Sequence, residues 1–224
     1  MSALTTRILV LGVVSIFGPA NGYQLRRELL SWEVERWAHL KPGSIYSMLG
    51  TLERQGAIER HDIALDEGAR PVAVYTATET GREELTNLVL DAIGTVPDSG
   101  DPLPLRVAVN FGPLLTRDQF LGAVRRRIGV LEMGRDIIVA KVDGMRRTNS
   151  VPPHVVSELG LEVALVDAQL DWLRGLAGEV AAGGLDFADD PPGTAWMPPA
   201  DDPGWRMAEE RERYLEWIAA NRGA

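Results

Sequence analysis

The sequence predicts a mainly α-helical fold with one small β-hairpin set among the helices, and three observations carry that prediction. Apolar residues recur at helical spacing through most of the chain, as in Ile45, Met48, Leu49 and Leu52 at i, i+3, i+4 and i+7. Around residue 57 the period changes: two short β-prone runs, 57–63 and 72–76, flank the turn-forming stretch 66–71. Beyond a Gly-, Pro- and Asp-rich stretch at 94–104, two long segments repeat apolar residues in alternating steps of three and four.

Each element follows in order. Residues 5–17 read as a helix apolar nearly all round, hence buried on most sides, and Gly18-Pro19 stops it. Arg7 and the run Ile8 to Phe17 imitate a signal peptide, but the following Gly-Pro-Ala-Asn-Gly is a poor cleavage site. The run also falls well short of the roughly 20 residues of a membrane span. Asn21 caps a second helix, 22–31. A third opens at Pro42, a residue suited to the first helical position, and ends at Gln55-Gly56. Opposite its apolar stripe lie Ser44, Ser47, Thr51 and Arg54, with Tyr46 at the edge and Gly50 leaving room for close approach. Thr78 caps the helix after the hairpin, which runs to about residue 93.

In the C-terminal half, the helix 116–147 carries the seam Leu121, Val124, Ile128, Leu131, Arg135, Ile138, Val142 and Met145. The helix 153–181 carries Val156, Leu159, Val163, Val166, Leu170, Leu173, Ala177 and Val180. Two such helices cover one another only in part, so the expected remedy is a second subunit. The expected dimerisation residues are Leu121, Val124, Ile128, Leu131, Ile138, Val142, Leu159, Val163, Val166 and Leu170, with Arg135 setting register. Arg125, Arg126 and Arg127, with Arg135, Lys141, Arg146 and Arg147, are expected to pair with Glu158, Glu162, Asp167 and Asp171 of the next helix. Residues 186–204 read as an Asp- and Pro-rich linker. A last helix from 205 places Met207, Tyr214, Leu215 and Ile218 on one side.

The bulk numbers bound the function. With 224 residues, 45% hydrophobic and 25% charged, the chain is ordinary globular protein. A net charge of −9 argues against coating nucleic acid by electrostatics alone; residues 1–93 hold 9 basic and 12 acidic groups, so a basic face must be local. Without cysteine there is no disulfide, thiolate zinc site or cysteine nucleophile, and a cytoplasmic location is expected. His39, His61 and His154 are too scattered for a metal site. Hydrolase elbow, phosphate-cradling, dinucleotide and paired-histidine motifs are all missing, so neither an enzyme nor a cofactor is expected.

Helix, helix, helix, hairpin, helix is the order of a winged helix-turn-helix, whose third helix enters the major groove of double-stranded DNA. The hydroxyls of Ser44, Tyr46, Ser47 and Thr51 suit phosphates or base edges, and Lys41 and Arg54 suit phosphates. Asn21 and the start of the second helix offer a further phosphate anchor, with Tyr23 either touching phosphate beside it or packing against the third helix. Arg26 and Arg27 read as surface charges paired with Glu28, Glu33 or Glu35.

Over roughly residues 7–90 the chain resembles the PadR regulators. The likeness rests on Ile8 to Gly12, Gly18 to Leu25, Pro42 to Tyr46, Leu52 to Gly56 and Thr78 to Arg82. The resemblance implies a cytoplasmic homodimer, usually a repressor, whose C-terminal helices dimerise and sometimes sense small, often aromatic, molecules. The family often has a histidine where Asn21 stands and a basic pair opening the second wing strand, where only Arg70 is found. Arg70 is thus the expected wing contact. The expected division is a DNA-binding domain at 1–93, a connection at 94–115, a helical dimerisation domain at 116–181, a linker at 182–204 and a helix at 205–224. Trp172, Trp196, Trp205 and Trp217 are candidates for lining an effector pocket. The alternative function is a winged-helix protein-interaction module without DNA binding.

Overall fold

The computed structural model describes residues 3–65, 70–98, 100–191, 193, 197–199, 201–202 and 205–221, apart from the side chain of Arg206. In chain order the elements are α1 (Ala3–Phe17), β1 (Ala20–Asn21), α2 (Gly22–Ser31), α3 (Val34–Trp37), α4 (Pro42–Arg54), β2 (Ile58–Ile63), β3 (Val72–Ala77) and α5 (Glu79–Gly94). Then follow α6 (Leu103–Val109), a 3-10 turn (Gly112–Leu114), α7 (Arg117–Thr148), α8 (Pro153–Ala181) and α9 (Trp205–Asn221). The mainly helical class with a hairpin wing is as expected. They form two compact units: Met1–Val89 with Leu103–Phe111 and Trp196–Ala224, and Leu90–Pro102 with Gly112–Ala195.

The first unit is built around α1, whose Ile8, Leu9, Leu11 and Val13 are wholly buried. A helix apolar on every side needs neighbours on every side, and α2, α4, α6 and β3 supply them. Each of these side chains contributes about 1.5–3 kcal/mol by leaving water. Gly12 is where α6 is followed by the Phe111 ring, which lies so close that any Cβ would overlap it. The helix α4 turns Ile45, Leu49 and Leu52 inward, while Met48 is only half-buried. At its end Gly56 takes φ +73°. Its amide donates to Glu53 and that of Ala57 to Leu52, which satisfies the last carbonyls and turns the chain into β2.

The wing strands pair antiparallel from Ile58 opposite Ala77 to Ile63 opposite Val72. A third strand was not expected: β1 adds to the outer edge of β3, with Ala20 opposite Tyr75 and Asn21 opposite Val74. Two residues carry no readable period, so only the fold reveals them. The Thr78 hydroxyl fastens α5 to the hairpin, accepting from Gly81 at 3.0 Å and donating to the Gly56 carbonyl at 2.7 Å. The helix α6 also lies inside what reads as connection, and α9 joins this unit rather than standing alone.

In the second unit α7 and α8 form an antiparallel pair. Thr116 and Gln119 make a reciprocal capping box at the start of α7. Asn149, at φ 48°, ends the helix, and Pro152-Pro153 starts the next. Leu121, Val124, Leu131, Val142, Leu159 and Leu170 are buried within the one chain, and Ile128, Ile138, Val163 and Val166 are half-buried. The seams close the pair on itself. The apolar side chains left in water lie off the seams, on Val130, Met133 and Ile137 of α7 and Leu161, Leu165 and Trp172 of α8. Arg135 is tied to Asp167 inside the chain, which satisfies it without a partner subunit.

Of the basic side chains expected to pair with α8, Arg135 does so through Asp167, whereas Arg126 and Arg127 find other partners. Arg126 donates to the Leu90 carbonyl at 2.9 Å. Arg127, 1% exposed, donates from one terminal nitrogen to the carbonyls of Ala92, Ile93 and Thr95 and from Nε to Gln169. Both therefore satisfy the end of α5, where unpaired carbonyls and the negative pole of the helix favour a cation. Burial lowers the Arg127 pKa from its ordinary value. The early part of the expected 182–204 linker is also docked: Arg117 pairs with Asp190 at 2.6 Å and lies over the Phe187 ring, which meets Phe120 edge-on.

Candidate nucleic-acid interface

The apolar flank of α4 is consumed by the core, so its other flank is presented outward. Tyr46, 48% exposed, and Ser47 and Arg54 face water, and Ser44 and Thr51 are half-buried beside them. Thr51 donates to the Ser47 carbonyl at 2.9 Å and accepts from Arg54 at 3.0 Å. That bond holds the guanidinium along the helix instead of letting it fold away. A Cβ at Gly50 would meet, among the described residues outside the helix backbone, only Arg54, at ordinary contact distance. Lys41, exposed, occupies the cap position before Pro42 without a side-chain cap bond.

The start of α2 lies against this helix, for a Cβ on Gly22 would sit 3.0 Å from the Tyr46 ring. Tyr23, next in sequence, is 64% exposed and so does little packing. Asn21 performs its capping role, in a full capping box with Gln24. Its side chain is more engaged than the sequence suggests: Oδ1 accepts from the Gln24 amide at 3.0 Å, and Nδ2 donates to the Tyr214 hydroxyl at 3.3 Å. The Gln24 side chain in turn donates to Glu210 at 2.6 Å, and Arg211 to the Gly18 carbonyl at 3.0 Å. A phosphate at Asn21 would therefore meet groups already bonded to α9.

On the wing, Arg70 is exposed, whereas the tip residues 66–69 lie outside the described residues. Arg60 is a second wing cation that sequence reasoning missed. It pairs with Asp62 at 2.8 Å, and that hydrogen bond raises its pKa. Its alternation with His61 along β2 was the available signal. Glu33 holds Arg36 at 2.6 Å rather than Arg26 or Arg27, while the charge of Arg27 acts on Glu28, one of the expected partners. The Nε of Arg26 is buried and meets no acceptor among the described residues.

The other side of the sheet is covered by α9. Ile63 and Val74 form a buried cluster with Tyr214 and Ile218, and Leu65 and Trp217 pack at its margin. Leu215, expected on this side, is 39% exposed. Of the four tryptophans, Trp217 packs at the margin of this cluster, Trp172 is 47% exposed on α8, Trp205 lines a cavity with Phe17 and Trp32, and Trp196 lies outside the described residues. Among the described residues no group of three His, Asp or Glu side chains could hold a metal, and no helix is long and apolar enough to cross a membrane.

A comparison with curated proteins finds no match. Among solved structures, the chain is similar to smu.1604c from Streptococcus mutans, with 18% identity, 80% of this chain and 99% of that one covered and a TM-score of 0.35. It is also similar to PadR of Bacillus subtilis in complex with operator DNA, with 17% identity, 78% and 98% covered and a TM-score of 0.35. Residues 10–87, which span the elements from α1 through most of α5, match the model of the Transcriptional regulator PadR-like family.

Proposed function

We propose that the protein is a sequence-specific DNA-binding transcriptional regulator that works as a homodimeric repressor in the cytoplasm. The observation that carries the reading is the division of α4: Ile45, Leu49 and Leu52 buried, and Tyr46, Ser47 and Arg54 bare, with Arg70 of the wing exposed as well. In this reading Ser44, Tyr46, Ser47 and Thr51 address base edges and phosphates in the major groove. Lys41, Tyr23, Arg54 and Arg70 contact the backbone, and Asn21 orients the first amides of α2 toward it.

The off-seam side chains Val130, Met133, Ile137, Leu161, Leu165 and Trp172 support a second copy as the partner of the α7–α8 pair. The half-buried seam residues Ile128, Ile138, Val163 and Val166 border that contact, and the fully buried ones brace it from within. A dimer of this kind places two α4 helices about 34–36 Å apart, or a near multiple, to meet a pseudo-palindromic site. A small aromatic effector that releases the DNA completes the reading.

Selection of bound sequences from random DNA, followed by titration of the winner at several salt concentrations, tests it. A regulator yields a two-fold related motif bound with an affinity that falls steeply with salt. Recovery of no motif leaves the protein-interaction module, which the net charge of −9 favours.

A further inference from the structure

Polar contacts fasten α9 to the stretch of chain that opens α2, both lying in the first unit. Arg211 donates from Nε to the Gly18 carbonyl at 3.0 Å, Asn21 from Nδ2 to the Tyr214 hydroxyl at 3.3 Å, and Gln24 from Nε2 to Glu210 at 2.6 Å. Glu210 and Tyr214 stand one above the other on α9, because positions four apart share a helix face. Their partners Asn21 and Gln24 are the two members of the α2 capping box.

The cap uses the oxygen of each amide. The Gln24 oxygen accepts from the Asn21 backbone amide at 2.7 Å, and the Asn21 oxygen accepts from that of Gln24 at 3.0 Å. What remains of each side chain is an NH2 group, which only donates. Glu210 and Tyr214 answer those donors. Gln24 is 4% exposed while Glu210 is exposed, so the carboxylate stands between the Gln24 amide and water. A DNA phosphate offers the same chemistry, an anionic oxygen that accepts from N–H, and the positive pole at the start of a helix draws either anion. Two anions repel at contact distance, so one leaves for the other to enter. The contested place borders the outward flank of α4, where the Tyr46 ring lies against Gly22.

We propose that α9 is a built-in competitor of DNA: Glu210 and Tyr214 occupy the side-chain donors of Gln24 and Asn21 that a backbone phosphate would otherwise take, and this clasp opens before the start of α2 grips the duplex. The proposal rests on the DNA-binding reading above and adds a closed state to it. The apolar part of the dock, Tyr214 and Ile218 against Ile63 and Val74, offers nothing to a phosphate. It keeps α9 at hand, so the clasp recloses when the DNA leaves.

The test is fluorescence anisotropy of a labelled duplex with the full chain, native or carrying Glu210→Gln or Tyr214→Phe. The duplex has the sequence recovered by selection or, where none is recovered, a random sequence at about 50 mM salt. Both variants keep the size of the residue they replace, and circular dichroism checks that the helices persist. Each should tighten binding about three- to tenfold. Tyr214→Phe changes no charge, so tightening there is not an effect of net charge. Glu209→Gln removes a charge from the exposed neighbouring position and should act by at most about twofold. Hydrogen exchange of the native chain supplies a second readout, in which the α9 amides around Glu210 exchange faster with DNA bound. The clasp is overturned, and the regulator reading stands, if the variants bind DNA no tighter than the native chain, if Glu209→Gln matches Glu210→Gln, or if the α9 amides gain protection on DNA. Binding by the variants and none by the native chain is the closed state in its extreme form. If no form of the chain binds any duplex, the regulator reading fails and the clasp with it.

Discussion

Arg54 and Arg127 are two arginines with opposite duties, and their surroundings separate them. Arg54 is exposed and steadied by Thr51, so its charge is available outside the protein. Arg54→Ala should lower the dependence of log affinity on log salt by about one unit and weaken binding to all DNA sequences alike. Titrations at several salt concentrations measure both, and an unchanged slope removes Arg54 from the interface. Arg127 is consumed inward by the carbonyls that end α5. Arg127→Ala leaves those carbonyls and Gln169 without a donor and opens a cavity, at a cost of about 3 kcal/mol. Urea denaturation reads that loss, whereas DNA affinity per folded molecule should hold. No local pattern distinguishes these two residues. Arg127 stands in a run of three basic residues that reads as a solvated face, and only the arrival of α5's last turn gives it a different role.

Elements were legible in proportion to how local their causes are. The stripe on α4, its proline start and its Gly56 stop are all written within a few residues, and the helix forms where they indicate. The capping box at Thr116 and the Pro152-Pro153 start bound the long helices in the same way. In contrast, β1 exists because Ala20 and Asn21 lie against β3, some fifty residues on, and α6 is hidden in a stretch that composition marks as loop. The segment 185–190 is the instructive miss. Its aspartates, followed by Pro191, suggest a free tether, yet Asp190 accepts two bonds from Arg117 and one from the Phe187 amide. Those bonds hold the Asp190 pKa below its usual value, the Arg117 hydrogen bond being the main cause. A carboxylate with a depressed folded-state pKa stabilises above its unfolded value, about 4, and loses that contribution as the pH falls through the folded one. Melting curves of the native chain and Asp190→Asn should therefore differ at pH 7 and converge toward pH 3.

For the whole molecule the question is what covers the off-seam residues. Met133 and Leu165 are 68% and 64% exposed, more than most long apolar side chains in a lone folded chain. The double variant Met133→Glu with Leu165→Glu adds two like charges to that surface and deletes two large apolar groups. Sedimentation at micromolar concentration should show the native chain as a dimer and this variant as a monomer, with helical content retained. A native monomer would remove the second copy from the proposal. Sequence periodicity located the helical pair correctly but could not assign its seams, because a seam that meets its neighbour within the chain and one that meets another chain share the same spacing.

The cover that α9 lays over Ile63 and Val74 has a consequence in time. Asn21 and the tyrosine it meets, Tyr214, are 193 positions apart. At a synthesis rate of about 5–20 residues per second, the ribosome takes on the order of 10–40 s to pass from one to the other. From the completion of β3 to the end of that interval the nascent sheet shows water, and every chaperone or neighbouring chain, a greasy back that the finished fold conceals.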